Sequence, residues 1–160
     1  MKEDYKHILF ATDLSEEAIQ IGERAVSLAQ RYNAKLSLIH VVEYTGVFGD
    51  RELVPPVIPV AAGGFVPPIP PEVTEDDVVK KEYDLLSQLA ERLGVADSER
   101  WVITSPSTKD EIHRVAKEQD VDLIVVGSHG RHGLALLLGS TANAVLHGAP
   151  CDVLAVRVRS

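Results

Sequence analysis

Large aromatic side chains are scarce in this chain: Phe, Trp and Tyr together make up 5% of its 160 residues. The core must then be built from Val, Leu, Ile and Ala, a mix that suits a buried parallel sheet covered by helices. Cysteine occurs once, at Cys151, which excludes an internal disulfide and fits a reducing compartment. Lys and Arg number 16 against 24 Asp and Glu, a formal charge of −8, and no stretch gathers the cations into a basic face. That argues against nucleic acid as a partner, although a small anion needs only a few oriented N–H groups. The opening Met-Lys-Glu-Asp-Tyr-Lys runs into an apolar stretch ending at Thr12, too short for a signal peptide or a membrane span. The expected setting is the cytoplasm, with neither membrane nor nucleic acid as a partner.

Short apolar runs alternate with helical patterns. Residues 7–12 read as a buried strand ending at Asp13. Ser15 is placed to cap a helix, with Glu16 and Glu17 where its dipole favours negative charge. Ala18, Ile21, Ala25, Leu28, Ala29 and Tyr32 recur at spacings of three and four, and Asn33 closes the helix in a left-handed turn. Residues 36–42 form a second strand. Thr74 and Asp77 open a second helix whose inner side is Val78, Val79, Leu85, Leu86, Leu89 and Leu93, stopped by Gly94. Residues 101–104 are a third strand, and Thr108 to Glu111 a capping box before Ile112, Val115 and Ala116. Residues 121–126 are the clearest strand, residues 140–147 a helix stopped by Gly148 and Pro150, and residues 151–158 the last strand. This succession predicts βαβ crossovers: an α/β fold with an open five-stranded parallel sheet and helices on both faces.

Residues 43–73 break the rhythm. Seven of the nine prolines fall between residues 55 and 71, with Gly63 and Gly64 among them. Proline removes ladder donors and blocks helix, so an extended, irregular insert is expected. Its Phe65, Val66 and Ile69 are apolar for an exposed loop and imply packing on something. No internal repeat or second core is visible, so residues 1–160 read as one domain.

Open parallel sheets bind ligands beyond the carboxyl ends of their strands, where the strand order reverses, and the first strand normally sits at that reversal. Thr12 and Asp13 lie at its end. The other candidate is the loop after the fourth strand, Gly127-Ser128-His129-Gly130-Arg131-His132-Gly133, followed by Gly139-Ser140-Thr141 at a helix start. Gly127 and Gly130 let the backbone approach a ligand, and helix-start amides and hydroxyls favour an anion. The plainer alternative is that these glycines are turn residues and Gly-Ser-Thr is a cap. Neither the P-loop glycine-lysine pair nor a dinucleotide fingerprint at the first strand is present.

The chain resembles the universal stress proteins over nearly its full length. The resemblance is carried by Tyr5-Lys6-His7-Ile8-Leu9 through Asp13-Leu14-Ser15, by Leu38-Ile39-His40-Val41, by Val126-Gly127-Ser128-His129-Gly130, and by Cys151-Asp152-Val153-Leu154-Ala155-Val156. It implies a Rossmann-like fold of the adenine nucleotide alpha hydrolase-like kind, usually dimeric through the last strand. One branch of the family binds ATP through Gly-x-x-Gly, nine residues, Gly-Ser/Thr; another lacks the motif and binds no nucleotide. The resemblance places Asp13 at the ribose or at a Mg2+ carried with the nucleotide, and Val41 at the adenine through its backbone, with Thr12 a further nucleotide-binding candidate beside Asp13. It places Gly127, Ser128, Gly130, Gly139, Ser140 and Thr141 around ribose and phosphates; Val126 at the strand end and Arg131, a cation able to clamp a phosphate, complete the nucleotide-binding candidates. One departure stands out: eight residues, not nine, separate Gly130 from Gly139.

Several of these residues have ordinary structural readings as well. Asp13 also suits a turn or cap, and Arg131 a solvated loop position. His40, in an apolar strand, reads as a satisfied core histidine, and Cys151 as a small apolar packing residue. His129 and His132 lack a nearby Cys, Asp or Glu to complete a metal site. The implied function is a homodimeric regulator that binds ATP, ADP or AMP in a stress response. The alternatives are a nucleotide-free interaction module acting through its insert, and a slow ATP hydrolase. Against the hydrolase, no pattern supplies both a base for water and a cation for the leaving phosphate.

Overall fold

Five strands alternate with four helices along residues 4–43, 75–129 and 138–159, the residues described by a computed structural model. In chain order they are β1 (His7–Ala11), α1 (Ala18–Tyr32), β2 (Lys35–Glu43), α2 (Glu75–Arg92), β3 (Glu99–Ser105), α3 (Thr108–Glu118), β4 (Leu123–Gly127), α4 (Ser140–Leu146) and β5 (Asp152–Val156). The strand at residues 36–42 extends to Glu43, and the proline-rich insert that follows lies outside the described residues, as do Thr74, Gly130 and Arg131.

The strands form one parallel sheet in the order β3-β2-β1-β4-β5. Phe10 of β1 stands opposite Leu38 of β2 on one side and Val125 of β4 on the other. From β1 the chain builds outward to β2 and β3, then crosses back to add β4 and β5, so the order reverses between β1 and β4.

Side chains along a strand alternate between faces, and the two faces carry separate cores. Ile8 and Phe10 pack with Ala18, Ile21 and Ala25 of α1 and with Leu86 and Leu89 of α2. Leu9, Ile39 and Ile124 pack on the other face with Ile112 and Val115 of α3 and Val145 of α4. Gly22 of α1 lies against the sheet so closely that a Cβ there would sit 2.5 Å from Leu93 Cδ1 and 3.0 Å from Phe10 Cε1. Leu86 and Leu89 are buried on the inner side of α2 as expected, joined there by Ala90, whereas Leu85, expected on the same side, is 40% exposed.

Helix ends follow local chemistry, with two shifts from expectation. Asn33 closes α1 with φ 51° and donates its N–H to the carbonyls of Ala29 and Gln30, and Gly94 follows α2 with φ 74°. Ser15 does not cap α1. That helix begins only at Ala18, after Glu17, which makes no side-chain cap bond. The delay has a cause: Thr12 Oγ1 accepts the Leu14 N–H at 3.0 Å and Asp13 Oδ1 the Ser15 N–H at 2.9 Å, a pair of local turns that occupies the first amides. The capping box of α3 is one residue earlier than expected, with Ser107 Oγ accepting the Asp110 N–H at 3.3 Å.

At the opposite, amino-terminal edge, Asp122 Oδ2 accepts the N–H groups of Lys6 at 2.8 Å and His7 at 2.9 Å, tying the start of β1 to the start of β4. The buried His7 ring donates from Nδ1 to the Gln119 carbonyl at 2.9 Å and accepts at Nε2 from the Ser37 hydroxyl at 2.8 Å. Tyr5 donates to Asp152 Oδ2 at 3.0 Å and stands edge-on to the Tyr32 ring, joining β5 to the end of α1. None of the described helices is long and apolar enough to cross a membrane.

Candidate functional site

Beyond the carboxyl ends of β1, β2 and β4 lies a cavity of about 370 Å³. It sits at the reversal of strand order, the place where a crossover-built sheet leaves a crevice between diverging connections. Its apolar walls come from both cores: Ile21 of α1 from one, Ile39, Val41, Val126 and Ile112 from the other. Its polar groups are Thr12 and Asp13 after β1, His40 and Glu43 of β2, Glu82 of α2, Thr108 of α3, His129 after β4 and Thr141 of α4.

Six of the residues expected at a ligand therefore meet at this one cavity: Thr12, Asp13, Val41, Val126, Gly127 and Thr141. Thr12 is buried, its N–H donated to the Ile39 carbonyl at 3.0 Å. Asp13 lines the cavity while also accepting the Ser15 amide, so its turn role and its place in the wall coexist. Leu14 takes the left-handed conformation, φ 57°, that this double turn requires.

Gly127 has a packing reason for being glycine. A Cβ there would lie 2.6 Å from Ile21 Cδ1, so the bare backbone at the exit of β4 lets α1 close over it. Ser128, Gly139 and Ser140 do not line the cavity. Ser128 donates its N–H to the Val156 carbonyl at 2.8 Å, and its own carbonyl accepts the Gly139 N–H at 2.7 Å. These bonds pin together the two ends of the loop between β4 and α4. They also occupy the Gly139 amide, one of the N–H groups expected to face a phosphate. The buried Ser128 Oγ and His129 Nδ1 have no hydrogen-bond partner among the described residues. His129 lines the cavity, and an unpaired group of that kind on its wall is suited to a polar ligand.

Three wall residues escaped the pattern in the sequence. Glu43 and Glu82 carry no local signature, Thr108 reads only as a helix cap, and Glu82 comes from a helix beyond the proline-rich segment. His40 is both things at once. It is a buried core histidine with its ring bonded on two sides, Nδ1 2.8 Å from the Thr12 carbonyl oxygen and Nε2 3.3 Å from Glu82 Oε2, and it is part of the wall. Among the described residues no three His, Cys, Asp or Glu side chains gather as a metal site. Cys151 is half-buried against the α3–α4 core, as a small apolar residue would be.

Comparison with known proteins accords with this architecture. The family model for universal stress proteins matches residues 4–58 and 56–157. Universal stress protein A homolog 2 of Coxiella burnetii is 40% identical over 158 residues, covering 98% of each chain. The fold is shared with a solved universal stress protein in complex with cAMP, at a TM-score of 0.62 and 22% identity over 96% of this chain and 98% of that one. It is shared also with the universal stress protein from Archaeoglobus fulgidus in complex with dAMP, at a TM-score of 0.60 and 17% identity over 98% and 100%. With a matched family model spanning both ends of the sheet and a near full-length relative at this identity, the chain belongs to the universal stress protein family.

Proposed function

We propose that this chain binds an adenine nucleotide in the cavity at the β1–β4 reversal and acts as a cytoplasmic homodimer in a stress response. The observation that carries the proposal is the convergence of Thr12, Asp13, Val41, Gly127 and Thr141 on one cavity of about 370 Å³, a volume in the usual range for small-molecule sites. The cAMP and dAMP complexes of two proteins sharing this fold support the class of ligand.

The wall suits the parts of such a ligand. A flat base is matched by the apolar face of Ile39, Val41 and Val126, with the Val41 backbone at its edge. Asp13 is a carboxylate for a ribose hydroxyl or for Mg2+ carried with a polyphosphate. On the wall, Thr141 offers a hydroxyl and His129 a buried Nδ1 with no partner among the described residues, both suited to a phosphate. The bound Gly139 amide and the shortened motif favour a ligand with few phosphates, AMP or a cyclic monophosphate over ATP. For the dimer, the support is β5, which pairs only with β4 among the described strands and so presents an edge.

A thermal melt tests the reading. Ligand at 100 times its dissociation constant adds roughly 2.7 kcal/mol of stability. For a domain of this size that raises the midpoint by roughly 5–10 °C. AMP, cAMP or Mg-ATP should produce such a shift in the native chain, and Gly130→Val should abolish it. A native chain that shifts with none of them returns the function to an interaction module.

A further inference from the structure

His40 stands between two acceptors. A carbonyl oxygen accepts only, so the Nδ1 that lies 2.8 Å from Thr12 O carries a proton. In the neutral ring Nε2 is then a lone pair, and it faces the Glu82 carboxylate at 3.3 Å. Two acceptors do not bond to one another. The contact is attractive only with one further proton in the pair, on Nε2 or on the carboxyl. Both side chains are largely shielded from water, at 10% and 22% exposure, so bulk solvent does little to screen the lone pair from the carboxylate.

The surroundings give that proton a consequence. Of the elements around the cavity, the loop after β1 brings Asp13, β2 brings Glu43, α2 brings Glu82 and the segment after β4 brings His129. The wall residues of α1, α3 and α4 are Ile21, Thr108, Ile112, Thr141 and Ala142, none of them titratable. No Lys or Arg lies among the described wall residues. A nucleotide phosphate entering this cavity would come to a wall bearing the carboxylates of Asp13, Glu43 and Glu82, and a proton shared by His40 and Glu82 would offset part of that charge. The same proton holds α2 to the exit of β1 and to the strand position beside Val41.

We propose that the His40–Glu82 pair makes nucleotide binding proton-linked, an anionic nucleotide being held more tightly while the pair keeps its extra proton and released as that proton leaves. The inference rests on the nucleotide reading of the cavity. Affinity therefore falls as pH rises and the pair gives up that proton.

Calorimetric titration with cAMP tests it on the full chain. The cAMP phosphodiester keeps a single charge throughout the pH range tested, so a slope in affinity belongs to the protein. Between about pH 5.5 and 8 the dissociation constant should rise roughly three- to tenfold, one unit of linked pKa change being a factor of ten. Buffers of different ionisation enthalpy should report uptake of a fraction of a proton on binding. His40→Asn, which keeps an N–H for the Thr12 carbonyl but cannot titrate, should flatten the profile. Glu82→Gln, whose amide donates to a neutral Nε2, should reduce the slope, and it serves where His40→Asn does not fold. His129→Asn should leave the slope in place. Equal affinity at both ends of the window, or a slope that survives in His40→Asn, overturns the proposal and leaves the nucleotide site standing. Failure of cAMP, AMP and ATP to bind at any pH removes the site itself, and the proposal with it.

Discussion

Substituting alanine for Gly22 sets two effects of similar size against each other. In a helix interior, Gly→Ala gains about 1 kcal/mol from backbone entropy and propensity. Against it, the new Cβ would sit 2.5 Å from Leu93 Cδ1, 3.1 Å from Leu93 Cδ2 and 3.0 Å from Phe10 Cε1. Phe10 is fully buried and has nowhere to retreat, whereas Leu93, at the end of α2, is only partly buried and can turn. Overpacking of this kind costs about 1–3 kcal/mol, so Gly22→Ala should be destabilising by a net ~1 kcal/mol. Urea denaturation should show a lower midpoint at unchanged slope. In a Leu93→Ala background most of the overlap is gone, and the same substitution should become neutral or stabilising, a coupling of about 1 kcal/mol or more between the two sites. The change also reaches the cavity, because Ile21 is the adjoining residue and forms part of its wall. The reasoning is refuted if Gly22→Ala stabilises the chain with Leu93 intact, for the helix gain would then outweigh the close approach to the sheet.

Two further substitutions probe the ties at the amino-terminal edge of the sheet. Asp122→Ala strands the amides of Lys6 and His7 and should cost about 1–3 kcal/mol in the same denaturation assay, the low end reflecting their partial access to water. Tyr5→Phe removes the bond to Asp152 and should cost about 0.5–1.5 kcal/mol near neutral pH. Its pH dependence has a definite sign. The hydrogen bond to the Asp152 carboxylate, and after it burial, holds the Tyr5 phenol above its ordinary range. That contribution is complete below the unfolded tyrosine range and is lost as pH rises through the raised value. The native chain and Tyr5→Phe should therefore converge in melting temperature only in alkaline buffer, above about pH 10.

The sheet was legible because its central strands are buried on both faces and so read as largely apolar runs at residues 7–12, 36–42 and 121–126. Asn33 and Gly94 announced their helix ends, each itself taking the left-handed backbone that ends the helix before it. The start of α1 was misplaced because hydroxyl and carboxylate turns at Thr12 and Asp13 compete with a helix cap, and sequence pattern alone does not say which wins. Leu85 fits a helical spacing but falls outside the arc that α2 turns toward the sheet. In the site, residues fixed by strand ends and glycines were readable from the chain, since topology alone brings Thr12, Asp13, Val41 and Gly127 together. Glu82 was not. Its nearness to His40 arises from how α2 lies across the sheet, a tertiary fact with no local trace.

Among the described residues the two cores share no helix and lie on opposite faces of the sheet, and at the cavity Ile21 from one layer and Ile112 and Ala142 from the other face the same hollow. A molecule lodged there would act as a strut between the two layers, added to the strands that already join them. Occupancy should then be felt on both sides of the sheet at once, as slower amide exchange in α1 and in α3 together. An effect confined to one layer would mean that the guest leans on a single wall.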